Sequence, residues 1–195
     1  SPTFVSVWSG GNDALGYATS GGVGTLTSSA DFDFAFGSTM AALAQVPGGI
    51  VANVPDVTAL AYLNTIPYDA VPLDAATADM LNGGFAAYNG GLAAAQAFGL
   101  ISASEVDART IVYAAGQNAM LMEDEYLTDL SALGLPSWRQ TTMNDKIVLP
   151  AIGLIGTAVG GNPTQINGVS VPLADNIVLS SDEIAEVRGT ETPFI

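Results

Sequence analysis

The 195 residues contain no cysteine and no histidine. Absent cysteine excludes a disulfide scaffold, a zinc–thiolate site and a thiol nucleophile. Absent histidine removes the commonest general base and any Ser-His couple within the chain itself. Basic residues are nearly as scarce, with 4 Lys and Arg against 19 Asp and Glu, a formal net charge of −15. These four, Arg109, Arg139, Lys146 and Arg188, are scattered along the chain. Phosphate binding needs them clustered, so nucleic acid and anionic membrane are excluded as main partners. Charged residues of both signs make up only 12% of the chain, below the roughly 25% of an average domain. The acidity therefore reflects missing bases rather than a surplus of acids. No apolar run reaches the ~18 residues of a membrane-spanning helix. The opening Ser1-Pro2-Thr3-Phe4 carries neither an initiator Met nor a signal peptide. Either processing removed an N-terminal segment or the chain is cut from a longer one.

Apolar side chains, by contrast, are plentiful at 49%. A chain of this length buries roughly 70% of its unfolded surface, enough for one domain with a sizeable core. Such apolar content fits disorder badly. Phe4-Val5-Ser6-Val7-Trp8 is short, β-branched and apolar, then breaks at Ser9-Gly10-Gly11, which predicts a buried strand ending in a tight loop. Asp31 or Asp33 can cap a helix running to about Gln45, with Phe34, Met40, Leu43 and Ala44 on its apolar side. Gly48-Gly49 ends it, and Ile50-Val51-Ala52 restarts a buried strand. Strand, helix, strand with short connections is the signature of a parallel α/β sheet.

Further along, Leu73 to Gly99 reads as helical and alanine-rich, interrupted by Gly83-Gly84 and Gly90-Gly91. Ser102 with Glu105, and Ser180 with Glu183, form capping boxes opening helices to Arg109 and to about Val187. Thr110–Ala114 predicts another strand. Ile147–Ile155 is apolar and fits either helix or strand. Asn167-Gly168 between alternating apolar residues predicts a two-residue hairpin, because both turn positions need positive φ. No repeat or charged linker divides the chain, so residues 1–195 read as one α/β domain or the central piece of one.

The stretch that can carry chemistry is Trp8-Ser9-Gly10-Gly11-Asn12-Asp13. A polar Gly-x-Asn-Asp loop at the carboxyl end of a parallel strand lies where open α/β sheets place their ligands. Glycine lets the backbone turn and approach a ligand closely, and an Asn carboxamide there can donate to a developing oxyanion. Read more plainly, the same residues make an ordinary Asx-type turn.

The run from Pro2 to Tyr17 resembles the third sequence block of the SGNH (GDSL-type) ester hydrolases, particularly their large extracytoplasmic branch from Bacteroidetes-like bacteria. The likeness continues through Val51–Thr58, Ala115–Asn118, Leu127–Pro136, Arg139–Thr142 and Val171–Asp175. The resemblance implies a flavodoxin-like three-layer fold and an acyl-ester hydrolase acting on a small-molecule or lipid ester outside the cytoplasm, whether periplasmic, membrane-anchored or secreted. In that family a Ser from a Gly-Asp-Ser block attacks the ester, a His from an Asp-x-x-His block takes the proton, and an Asn holds the oxyanion. Asn12 matches that Asn and Gly10 the glycine of the block, while Asp13 is expected to support the loop. Neither Gly-Asp-Ser nor Asp-x-x-His is present. The chain is thus expected to be the middle of the hydrolase, inactive alone, with residues from Leu73 to Asp175 a helical and hairpin insertion on the substrate side of the cleft. A sheet so interrupted should leave an apolar edge beside the first strand unpaired.

The rival reading is a non-catalytic binding or structural module kept soluble by its acidic surface. Among lesser candidates, Glu123-Asp124-Glu125 offers hard oxygen ligands for Ca²⁺, but no Asp-x-Asp-x-Asp-Gly loop accompanies it, and adjacent acids ordinarily form a solvated face. Neither a metal nor a cofactor is expected. Gly21–Gly24 and Gly153–Gly156 complete no phosphate-binding motif. Trp138-Arg139 can stack a cation on an aromatic face, Tyr62, Tyr68 and Phe85 can line an acyl pocket, and Asp56 can border the cleft. In each of these cases packing is the simpler account.

Overall fold

The computed structural model describes residues 2–191. Within them the chain is mixed α/β, with six α-helices and four separate two-stranded sheets. β1 (Val5–Val7) pairs in parallel with β2 (Gly49–Val51), Val5 opposite Gly49 and Val7 opposite Val51. Between them run α1 (Gly11–Thr19) and α2 (Ser29–Leu43), so the expected strand–helix–strand unit is present. Ser28 rather than Asp31 or Asp33 caps α2, by accepting from the Asp31 N–H at 3.1 Å. The helix buries Phe32, whose ring stacks on Phe36, and leaves Phe34 on its outer side, 80% exposed.

Among the described residues β1 has β2 as its one neighbour, and its other edge is unpaired, as expected. Contrary to expectation, neither strand is buried: Phe4, Trp8, Ile50 and Val51 are exposed, because the main hydrophobic cluster forms away from this pair and leaves it uncovered among the described residues.

The core lies elsewhere. After β3 (Val71–Leu73), Asp74 caps α4 (Ala75–Ala97) by accepting from the Thr77 N–H at 2.7 Å. A short helix, α3 (Ala61–Asn64), precedes them. The glycine pairs do not interrupt α4. Its inward residues Ala78, Leu81, Phe85, Tyr88, Leu92 and Ala95 alternate spacings of three and four, which keeps them on one face. Burying four large side chains there contributes about 6–12 kcal/mol, offsetting the ~1 kcal/mol each glycine costs a helix. Gly91 has a packing reason, since a Cβ there would lie 2.6 Å from Leu135 Cδ2.

Thr110–Ala114 is extended but forms no strand. Side chains of α4 take the place of a neighbouring strand. Asn89 accepts from the Ile111 N–H at 3.0 Å and donates to its carbonyl at 2.9 Å, and Asn82 does the same for Tyr113 at 2.8 and 2.9 Å. Two carboxamides seven residues apart on a helix thus satisfy backbone that a ladder would otherwise pair.

α5 (Ala103–Arg109) starts at Ser102 as expected, with Glu105 N–H donating to Ser102 Oγ. Glu105's carboxylate does not return to Ser102. It accepts from Arg109, which is fully buried, and from the backbone and hydroxyl of Thr128. The remaining strands are antiparallel: β4 (Gly116–Asn118) with β3, β5 (Leu121–Glu123) with β6 (Trp138–Gln140), and β7 (Lys146–Ile147) with β8 (Val178–Leu179). The ambiguous apolar run divides into β7 and a 3-10 turn at Leu149–Gly153.

No Asn-Gly hairpin forms. Gly168 has φ 76°, but among the described residues only glycines have positive φ, so with Asn167 the two-residue turn lacks its first position. Instead the Ile166 carbonyl accepts from the N–H groups of Val169, Ser170 and Val171. The last helix, α6 (Ser181–Glu191), opens on a complete capping box: Ser180 N–H donates to Glu183 Oε2 at 2.6 Å and Glu183 N–H to Ser180 Oγ at 3.3 Å. Among the described residues no helix is long and apolar enough to cross a membrane.

Candidate functional site

Gly10 turns the chain from β1 into α1 with φ 98°, in the left-handed region. It is buried, and a Cβ there would sit 2.8 Å from Phe32 Cε2 and 2.9 Å from Val54 Cγ2. Both conformation and space require glycine. Asn12 and Asp13 then fall in the first turn of α1 rather than in a loop. Asp13 and Ala14 N–H groups both point to the Gly10 carbonyl. Those of Gly11 and Asn12 have no acceptor among the described residues, the ordinary condition of a helix start.

The Asn12 side chain is exposed and likewise makes no hydrogen bond among the described residues. It lines a concavity of about 490 Å³ whose walls include Trp8, Ser9, Pro55 and Leu60. Asp13 accepts from the Thr27 hydroxyl at 2.8 Å, which ties the start of α1 to the segment leading into α2. Asp56 does not line the concavity. It caps a 3-10 turn at Val57–Ala59 through the Thr58 N–H and hydroxyl and pairs with Arg188 at 3.4 Å. Burial pushes its carboxyl up, but Thr58 and Arg188 together hold it below the usual carboxylate range.

The aromatic candidates do not converge. Phe85 is buried against Tyr113, ring centroids 6.1 Å apart, and lines an apolar cavity of about 650 Å³ between α4 and residues 155–170. Tyr62 and Tyr68 are not among its walls, and it shares no lining residue with the Asn12 concavity.

Arg139 is not stacked on Trp138. It is buried, donating from Nε to Asp124 and from its two terminal nitrogens to Asp145 at 2.7 and 2.8 Å. Trp138 faces Tyr88 instead. The run Glu123-Asp124-Glu125 is accordingly no uniform solvated face: Asp124 is core, between two exposed neighbours. Burial pushes Asp145 up, but Arg139 and then Thr142 hold it below its ordinary value.

Glu125 belongs to a second grouping that sequence spacing does not bring together. One carboxylate oxygen each of Glu125, Asp175 and Glu183 lie within 4.8 Å of one another. Burial, then the charges of Glu125 and Glu123, push Asp175 up to about 6. Burial pushes Glu183 up to about 7, against the lowering hydrogen bonds of Ser180 and with Glu125 and Asp175 adding to the rise. These oxygens are the ones suited to a hard cation. The capping box identifies Glu183 in the sequence, but its burial and its neighbours depend on the fold.

Compared with known proteins, the chain matches no family model, no curated protein and no solved structure.

Proposed function

We propose that the chain forms the oxyanion side of an acyl-ester hydrolase of the SGNH type, with Asn12 as donor, Gly10 as the bend that aims it and Asp13 as loop support. One observation carries the reading: an unengaged carboxamide at the first turn of α1, beyond the carboxyl end of β1, facing a concavity of about 490 Å³. A donor already committed to its own backbone has nothing left for a tetrahedral intermediate; this one is uncommitted. The exposed N–H groups of the same helix start add positive potential where negative charge would gather.

With no histidine in the sequence, the reading assigns the Ser nucleophile and its base to residues outside these 195. The unpaired edge of β1 and the exposed Phe4 and Trp8 support a flavodoxin-like sheet that continues beyond the β1–β2 pair. The substrate class is a small-molecule or lipid ester, and the setting extracytoplasmic.

The test is p-nitrophenyl ester hydrolysis by the full-length gene product beside its Asn12→Ala variant. Loss of one oxyanion donor lowers kcat by about 10²–10³. Folding should be unaffected, because the side chain is exposed and unbonded. Unchanged turnover in the variant removes the oxyanion role. A full-length product that hydrolyses no ester leaves the acidic binding module as the better reading.

A further inference from the structure

Glu183 presents a problem of charge. Its residue is 1% exposed, its Oε2 is used by the Ser180 N–H, and its Oε1 has no hydrogen-bond partner. A buried carboxylate oxygen without a donor is costly and rare in native proteins. The neighbours worsen matters, for the nearest grouping consists of two further carboxylates, Glu125 and Asp175. No Lys or Arg ion pair reaches any of the three among the described residues. The nearby Glu186 is occupied by the hydroxyls of Tyr17 and Tyr126.

We infer that Glu125, Asp175 and Glu183 form a Ca²⁺ site in which the partnerless Oε1 of Glu183 supplies the buried ligand. The oxygens lie within 4.8 Å of one another, and two oxygens held 2.3–2.6 Å from one calcium can be at most about 5 Å apart. The donor set is all oxygen, which selects a hard cation over zinc or copper. Mg²⁺ prefers to keep several waters and is held by one or two carboxylates, whereas Ca²⁺ accepts several. The three are graded from exposed Glu125 through half-buried Asp175 to buried Glu183. Glu125 and Asp175 also line a concavity of about 320 Å³, which gives an ion and its waters a way in.

Two glycines close the inner side. Gly22 packs so tightly that a Cβ would lie 1.6 Å from Glu183 Oε1, and one at Gly21 would lie 2.5 Å from the Asp175 carbonyl oxygen. A side chain at Gly22 would displace the Glu183 ligand oxygen, and one at Gly21 would push on the backbone that carries Asp175.

The inference does not depend on the hydrolase reading. The 195-residue chain is stripped with EDTA and titrated with CaCl₂ by calorimetry in 0.15 M NaCl, with MgCl₂ in parallel and thermal unfolding followed alongside. Saturable binding near one ion per chain is expected, with Tm rising by about 5–10 °C once free calcium exceeds the Kd a hundredfold. Glu125→Gln and Asp175→Asn, which leave the capping box intact, should each weaken binding by about tenfold or more. Asp107→Asn, an exposed acid on α5, should leave it unchanged. No saturable heat at millimolar calcium overturns the inference. Equal losses in Asp107→Asn and Glu125→Gln also overturn it, since they mark a diffuse counter-ion effect of the net charge.

Discussion

Asp145 is the residue whose removal should be felt most widely. Its carboxylate collects five hydrogen bonds: two from Arg139, two from the N–H and hydroxyl of Thr142, and one from the Ser181 N–H at 2.9 Å. It therefore joins β6, the turn after it and the first residue of α6. Asp145→Ala leaves the buried Arg139 guanidinium with Asp124 as its one remaining carboxylate, beside the Gln140 carbonyl, and orphans the Ser181 N–H. Breaking a buried pair by deleting one partner costs about 3–5 kcal/mol. Because Asp124 still compensates part of the charge, the lower end applies, about 3 kcal/mol. For a chain of this size that is a fall in Tm of roughly 6–12 °C. Urea unfolding followed by tryptophan fluorescence measures it, since Trp138 sits beside Arg139 and is half-buried while Trp8 is exposed. The midpoint should drop with the slope unchanged. A loss under about 1 kcal/mol would mean that the network is dispensable, and that the placement of α6 does not rest on it.

Two further outcomes follow from the same geometry. The Asp145 carboxyl is held below its unfolded value, so its contribution to stability is fully present above the unfolded pKa of about 3.9 and is lost as pH falls through the lower folded value. Urea midpoints should therefore fall below about pH 4 and fall less steeply in Asp145→Asn; parallel curves would contradict the assignment. Gly10→Ala combines a left-handed backbone, about 1–2 kcal/mol for an L residue, with overpacking against Phe32 and Val54, about 1–3 kcal/mol. Destabilisation of about 2–5 kcal/mol by urea titration is expected, and a change below about 0.5 kcal/mol, within the ordinary range of a neutral substitution, would show that the bend tolerates a side chain.

What could be read from the residues was local. The β1-to-β2 unit was legible because glycines punctuate it, and both helix starts at Ser102 and Ser180 because a Ser cap is local, although only Ser180 and Glu183 close the full box while Glu105 turns to Arg109 and Thr128. The glycine pairs of α4 misled, since their cost is small beside the burial on the opposite face. Thr110–Ala114 has strand composition and an extended backbone, but Asn82 and Asn89 occupy the hydrogen-bonding role of a partner strand, and nothing in the segment itself announces that. The Asn-Gly turn failed because Asn167 keeps negative φ while the Ile166 carbonyl gathers three donors. Arg139 and the Glu125–Asp175–Glu183 grouping were illegible for a different reason. Whether a charge is buried depends on partners from separate elements, and adjacent acids such as Glu123-Asp124-Glu125 look alike until the fold assigns one to the core.

The placement of Asn12 follows from which side of α1 is held. β1, β2 and α2 expose apolar side chains and contribute little to the main cluster of buried residues, which takes in Ala14, Tyr17 and Ala18 from α1 but neither Phe32 nor Val54. The helix is thus fastened through Ala14, Tyr17 and Ala18 to the main cluster, against α6 and the turn at Val57–Ala59. Tyr17 donates to Glu186 on α6, and Gly21 and Gly22, just past the end of α1, lie against Asp175 and Glu183. Anchoring of this kind fixes the helix without relying on the β1–β2 pair. It also puts the exposed Asn12 carboxamide at one end of α1 and the buried Glu183 carboxylate beside the other. A perturbation at Glu183 acts on the C-terminal end of α1, through Gly22, before it can reach the N-terminal turn that carries Asn12.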